Sequence, residues 1–144
     1  MTTPLPDAIV AELHGSTVDE ILAQLCEPVA RDTGVPLPEL LATLREREAL
    51  ASTALGSGIA MPHGEHPGLS RVFAVLGRAR TPVAMAAPDD TPVQLFVALL
   101  RPPAASAAHL KALAQWSRVL SDAGTRAALL AAPDAAAIAA LLQP

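Results

Sequence analysis

The residues best placed to do chemistry in this 144-residue chain lie in one stretch, Leu55-Gly56-Ser57-Gly58-Ile59-Ala60-Met61-Pro62-His63-Gly64. An imidazole between a proline and a glycine, after a short apolar run, can serve as a base, a metal ligand or a nucleophile. Gly56 and Gly58 permit positive φ or a close backbone approach, Ile59 to Met61 read as a short buried strand, and Pro62 stiffens the exit. His63 is therefore expected at a strand end. Other reactive side chains carry less weight. His66 follows His63 by three residues, but Pro67-Gly68 favours a turn over the helix that a metal-binding pair needs, and no third ligand stands nearby. Ser57 sits between glycines without the strand-to-helix elbow of a serine nucleophile. His14, before Gly15, reads as a solvated loop residue. Cys26, the single cysteine, reads as a small buried hydrophobe and excludes both an internal disulfide and a multi-cysteine zinc site.

The elements that must hold His63 follow from hydrophobic spacing. Ile9-Val10-Ala11 reads as a short first strand. Ser16 is expected to cap a helix, with Asp19 in the reciprocal capping-box position. Val18, Ile21, Leu22, Leu25 and Val29 recur at helical spacing, Pro28 can kink the last turn, and Gly34 suits the stop. A second helix opens near Pro38, carries Leu40, Leu41 and Leu44 on one face, and ends or turns outward at Arg45-Glu46-Arg47-Glu48. Val72 to Gly77 and Val93 to Leu100 are almost continuously apolar, as inner strands covered on both faces must be. Thr81-Pro82 and Pro88-Asp89-Asp90 are expected as turns between them. Pro102-Pro103 stops the second strand. Ser106 is expected to cap a helix with Leu110, Leu113, Ser117 and Leu120 on one stripe, Trp116 beside it and Gly124 closing it. Thr125 to Ala131 and Asp134 to Leu142 read as short helices broken by Pro133. Helices alternating with strands predict an α/β sandwich around one sheet.

Composition limits the function classes. The length fits one domain spanning 1–144. Apolar residues make up 51% of the chain and aromatics only 2%, so the core is built from Leu, Val, Ile and Ala, and little remains to stack on nucleic-acid bases. A net charge of -4 also argues against binding a phosphate backbone, so no nucleic-acid partner is expected. No apolar run approaches the roughly 18 to 20 residues of a transmembrane segment, and Met1 to Asp7 lack the layout of a signal peptide. A soluble, cytoplasmic protein is expected. Acids dominate up to Leu50 and basic residues dominate from Arg71 to Arg126, an asymmetry that suits either solvated helix faces or docking surfaces for a charged partner.

Glu48, then six residues, Leu55-Gly56, two residues, and Ile59-Ala60-Met61-Pro62-His63-Gly64 form a pattern with a known counterpart. It resembles the active-site signature of the fructose, mannitol and nitrogen-regulatory type of enzyme IIA, the phosphohistidine carriers of the bacterial phosphoenolpyruvate-dependent phosphotransferase system. Arg45-Glu46-Arg47-Glu48, Ser52-Thr53, Ala87-Pro88-Asp89-Asp90-Thr91-Pro92-Val93, the apolar Leu95 to Leu100, and His109-Leu110-Lys111-Ala112-Leu113 resemble further family landmarks in the same order. The likeness runs from Asp7 to Leu142.

The resemblance implies an α/β fold with a single mixed β-sheet flanked by helices on both faces. It implies that His63 receives a phosphoryl group, at Nε2, from an HPr-like phosphocarrier, with His109 as a second active-site histidine and Arg47 as a nearby arginine. The chemistry is coherent, since a neutral imidazole that donates one N–H to a backbone carbonyl offers its other nitrogen as a nucleophile. Phosphoryl transfer then needs mainly positioning and charge stabilisation. His109, three residues after Ser106, falls in the first turn of its expected helix, where unpaired N–H groups favour an anion. Arg47 offers a guanidinium fork for phosphate oxygens or an ordinary surface role. Ser52 and Thr53 can bond a phosphate or an imidazole, or merely shape a local turn.

No cofactor is implied. The phosphoryl group would pass on to a cysteine of a fructose- or mannitol-type IIB. Alternatively, the chain is a nitrogen-regulatory module that signals by its phosphorylation state, without a sugar. A third reading, from the residues alone, is a metal hydrolase using His63, His66 and His109. Ala60, Met61 and Met85 are expected to offer partners a small apolar contact surface. Ala84-Met85-Ala86-Ala87 and Gln94 depart from the family's usual residues at positions that shape that surface.

Overall fold

A computed structural model describes residues 4–143; Met1 to Thr3 and Pro144, part of the expected 1–144 span, lie outside the described residues. The chain runs β1 (Ala8–Leu13), α1 (Val18–Thr33), α2 (Leu37–Leu50), β2 (Ala54–Gly56), β3 (Ile59–Ala60) and β4 (His63–Glu65). It continues through β5 (Phe73–Val83), β6 (Val93–Arg101), α3 (Ser106–Ser121), α4 (Ala123–Ala131) and α5 (Ala135–Leu142). The strands form one mixed sheet in the order β1-β5-β6-β3-β2, with β4 also paired to β6. The pairs β1–β5, β3–β6 and β4–β6 are parallel; β5–β6 and β2–β3 are antiparallel.

Strand alternation sorts the side chains into two cores. Phe73, Val75 and Ala79 of β5, with Phe96, Ala98 and Leu100 of β6, pack against α1 and α2 through Leu22, Leu25, Leu40 and Leu44. Ala74 and Leu76, with Leu95, Val97 and Leu99, face Trp116, Leu120, Leu129, Ile138 and Leu142 of α3 to α5. Both faces are covered by helices, which is why the two inner strands read as unbroken apolar runs. The aromatic-poor core is filled mainly by aliphatic side chains, with Trp116 and Phe96 its largest members.

Several local expectations shift by a residue or more. Thr17 caps α1, its hydroxyl oxygen accepting from Glu20 N–H at 3.2 Å, because the capping box falls one residue after Ser16. Gly34 stops α1 in the left-handed region at φ 77°, as expected. Of the two expectations for Arg45-Glu46-Arg47-Glu48, the helix does not end there but runs on to Leu50, and Arg45 and Glu46 turn outward into solvent. Thr81-Pro82 lies within β5 rather than in a turn, in a segment where the β5–β6 register shifts. Ala105, not Ser106, precedes α3, and no side chain caps it. Asp122 ends α3 and caps α4 through Thr125 N–H at 2.8 Å, so Gly124 is a residue of α4. The buried stripe of α3 is His109, Trp116 and Leu120, whereas Leu110 is exposed.

Gly64 sets how closely α2 approaches β4. A Cβ there would stand 2.9 Å from Thr43 Cβ and 3.1 Å from the Thr43 backbone carbonyl carbon, so only a glycine lets the helix lie against the strand. That approach places Arg47, one turn beyond Thr43, beside His63. Gly64→Ala should push α2 outward and lower stability by about 1 to 3 kcal/mol, as overpacking does. Urea unfolding of the variant tests this, and an unchanged midpoint would contradict it.

Candidate functional site

His63 owes its setting to a broken strand. β3 and β4 run along the same flank of β6, β3 opposite Leu95 and Phe96, β4 opposite Leu99, Leu100 and Arg101. Pro62, without an N–H, interrupts them, and its carbonyl accepts Leu99 N–H at 2.9 Å. His63 therefore opens β4 rather than closing the strand before it. The break turns the Met61 carbonyl toward the imidazole, 3.0 Å from Nδ1 of His63. A carbonyl only accepts, so Nδ1 carries the proton and Nε2 keeps its lone pair. Among the described residues nothing bonds Nε2.

The supports beneath Met61 extend back to α2. Met61 N–H donates to the Thr53 carbonyl at 3.1 Å. Thr53 is buried; its hydroxyl donates to the Glu48 carboxylate, and its backbone N–H reaches the other carboxylate oxygen at 3.2 Å. The Ser52 hydroxyl oxygen accepts Ala54 N–H at 3.2 Å. Both residues line the groove beside His63, and neither hydroxyl bonds an imidazole. Spacing alone marks Glu48 as the first position of the motif but does not indicate that its carboxylate holds the loop. The glycine turn Gly56-Ser57-Gly58 has positive φ throughout and is fixed by Asp89, whose carboxylate accepts Ser57 N–H at 2.8 Å. That bond and a second from Thr91 N–H hold the Asp89 carboxyl below its ordinary range.

Two open clefts meet at His63 and Arg47. One, of about 500 Å³, is also lined by Glu65, Arg101 and His109; the other, of about 440 Å³, by Ser52, Leu55 and Leu110. The rings of His63 and His109 lie 5.2 Å apart, tilted by 50°. His109 is only 6% exposed, and its Nδ1 has no hydrogen-bond partner among the described residues. Burial, then His63, then the Arg101 guanidinium lower its pKa from 6.5 to about 4. At neutral pH it is an uncharged ring. Arg47 is half-buried and anchored by Nη1 to the Ala51 carbonyl at 2.8 Å. Arg101, which no motif singles out, enters this cleft because β6 places it opposite Glu65.

Outside these clefts the candidate residues are occupied. His66 accepts Gly68 N–H at Nδ1 (2.9 Å) and meets Glu39 at Nε2 (2.9 Å), so both ring nitrogens are used in a turn. Cys26 is buried, which pushes its thiol pKa up to about 12 and makes it inert. A further cleft of about 530 Å³, lined by Asp7, Arg31, Asp32 and Arg71, shares no residue with the histidine site, and its Arg71 is paired with Asp7 at 2.8 Å.

His109 yields a pH prediction. The unfolded chain takes up this proton near pH 6.5 and the folded chain only near pH 4, so stability should fall as pH drops through that window. NMR titration should find the ring neutral at pH 5.5, and titration near 6.5 would contradict the buried setting.

Comparison with known proteins fits this geometry. The family model for the phosphoenolpyruvate-dependent sugar phosphotransferase system, EIIA 2, matches residues 5–144. A nitrogen regulatory protein of Bradyrhizobium diazoefficiens is 37% identical over 137 residues, 95% of this chain and 90% of the relative. The crystal structure of nitrogen regulatory protein IIA-Ntr from Neisseria meningitidis matches with a TM-score of 0.87 at 30% identity, covering 94% of this chain and 92% of that one. The mannitol enzyme IIA of Escherichia coli, solved in complex with phosphorylated mannitol enzyme IIB, shares the fold with a TM-score of 0.77 at 20% identity, over 93% of this chain and 92% of that one. The likeness to enzyme IIA read from the Glu48 to Gly64 signature thus extends over almost the whole chain, which belongs to the EIIA 2 family of the phosphoenolpyruvate-dependent sugar phosphotransferase system.

Proposed function

We propose that this chain is a phosphohistidine carrier, a single enzyme IIA unit over 1–144 that works in the cytoplasm and takes a phosphoryl group from an HPr-like protein onto Nε2 of His63. The observation that carries the reading is the bond from Nδ1 to the Met61 carbonyl, which leaves Nε2 as the nucleophile at the junction of two open clefts. Neutral His109 donates one N–H to the phosphoryl oxygens, and Arg47 supplies positive charge as the N–P bond forms. The site is open enough for two proteins to use in turn.

Partners meet an apolar rim formed by Leu50, Leu55 and Leu110, which are 83%, 49% and 65% exposed. Met61, at 3% exposure, and Ala60, at 0%, belong to the core instead of that rim, and Met85 packs partly against α1 and α2. The 37% identity to a nitrogen regulatory protein supports a regulatory use, in which the phosphorylation state is itself the output. Delivery to a IIB cysteine for sugar uptake is the second reading, supported by the shared fold of a mannitol IIA that binds a phosphorylated IIB.

Incubation with phosphoenolpyruvate, enzyme I and an HPr-type carrier should add one acid-labile phosphoryl group by intact mass. His63→Ala should abolish it and His109→Ala should slow it; wild-type uptake by His63→Ala would refute the assignment. Leu110→Glu should raise KM for the carrier roughly tenfold with kcat little changed, as loss of an interface anchor does. Transfer onward to a IIB cysteine separates the two uses: rapid turnover supports uptake, and a phosphoryl group that stays on the chain supports regulation.

A further inference from the structure

Arg101 is the feature of the cleft that neither the motif nor the mechanism above uses. Its position follows from strand register. His63 pairs with Leu99 and Glu65 with Arg101, so His63, Glu65, Leu99 and Arg101 point to the same face of the sheet, the face that α3 covers with His109. Arg101 lies two residues beyond Leu99, the partner of His63, and both Arg101 and His63 line the same cleft. The guanidinium is held in place. Nη1 donates to the carbonyls of Pro102 (3.3 Å) and Pro103 (3.1 Å), and Nη2 meets Glu65 at 3.0 Å. The side chain is only 19% exposed, and nothing among the described residues engages Nε. Pro102-Pro103, which stops the strand, also turns two carbonyls back onto this arginine.

We propose that Arg101 is a second catalytic cation, a prepositioned guanidinium that contacts the phosphoryl oxygens in the cleft it shares with Arg47 and His63. The inference rests on the reading of His63 as phosphoacceptor. In the transfer, the lone pair of Nε2 forms the new N–P bond as the N–P bond of the donor phosphohistidine breaks and returns its electron pair to the donor ring. Nδ1 keeps its proton throughout, donating it in the hydrogen bond to the Met61 carbonyl. The transferred group brings its negative oxygens into the cleft while the His63 ring, which keeps its Nδ1 proton, gains positive charge, so a cation already fixed beside the oxygens stabilises the transition state without reorganising. The same position explains why His109 senses this arginine. Glu65, 53% exposed, offsets the Arg101 charge in the resting cleft.

Single-turnover phosphorylation by a phosphorylated HPr-type carrier tests this in the full chain. Arg101→Gln should lower kcat at least tenfold with KM for the carrier unchanged, and Arg101→Lys, which keeps the charge but loses the fork, should fall between it and wild type. Phosphohistidine on Arg101→Gln should hydrolyse faster and show a displaced ³¹P resonance, readouts that a strap for Pro102 and Pro103 would not move. Wild-type kcat and ³¹P shift in a folded Arg101→Gln protein, or a loss confined to KM, would overturn the role of Arg101 while leaving His63 as acceptor. Failure of the wild-type chain to gain a phosphoryl group on His63 would overturn both.

Discussion

The hydrogen bond from Nδ1 of His63 to the Met61 carbonyl is the constraint on which the rest of the site depends. It fixes the tautomer, aims the ring and leaves one nitrogen nucleophilic. Pro62 interrupts the run from β3 to β4 while its carbonyl still accepts Leu99 N–H of β6, and Met61, whose N–H goes to Thr53 instead, presents its carbonyl to the ring. Pro62 provides that interruption without an unpaired N–H, and Thr53 and the Glu48 carboxylate hold the Met61 side of the break. Gly64, on the other side, lets α2 settle against β4. Proline before the histidine and glycine after it thus have separate physical reasons.

Electrostatics around the imidazole follow from burial as much as from charge. His109 is kept neutral first by burial, then by His63 and the Arg101 guanidinium beside it, so it offers a hydrogen bond rather than a charge. The charges come from two arginines tied down by backbone carbonyls, Arg47 at the end of α2 and Arg101 at the end of β6. Both are oriented in the resting cleft, Arg47 by one backbone carbonyl and Arg101 by two carbonyls and the Glu65 carboxylate. A network of this kind stabilises transient negative charge while keeping the cleft open to a partner protein.

Much of this was legible in the residues. The buried inner strands announced themselves as continuous apolar runs, α1 as a clean helical stripe, and the His63 loop by its glycines and proline. The limits were specific. Ser16 and Gly124 lie one or two residues from the true boundary because a neighbouring Thr17 or Asp122 provides the cap, and Ser106 lies one inside it because α3 starts after Ala105 with no side-chain cap. Leu110 fits a helical stripe by spacing yet faces solvent, since α3 turns His109 and Trp116 inward. Arg101 could not be found from spacing, because its place beside His63 is set by the pairing of β4 with β6, a contact between segments 36 residues apart in their register. Glu48 was visible as a motif position, but its task, gripping Thr53, exists only once the chain folds back on α2.

The most direct measurement is a long-range ¹H–¹⁵N correlation spectrum of the histidine rings before and after phosphorylation by an HPr-type carrier. Before transfer His63 should show the Nδ1–H tautomer with an unprotonated Nε2. Afterwards phosphorus coupling should appear at Nε2 while the Nδ1 proton is retained. Phosphorus on Nδ1 of His63, or on the His109 ring, would contradict the hydrogen bond to Met61 as the feature that selects the reactive nitrogen.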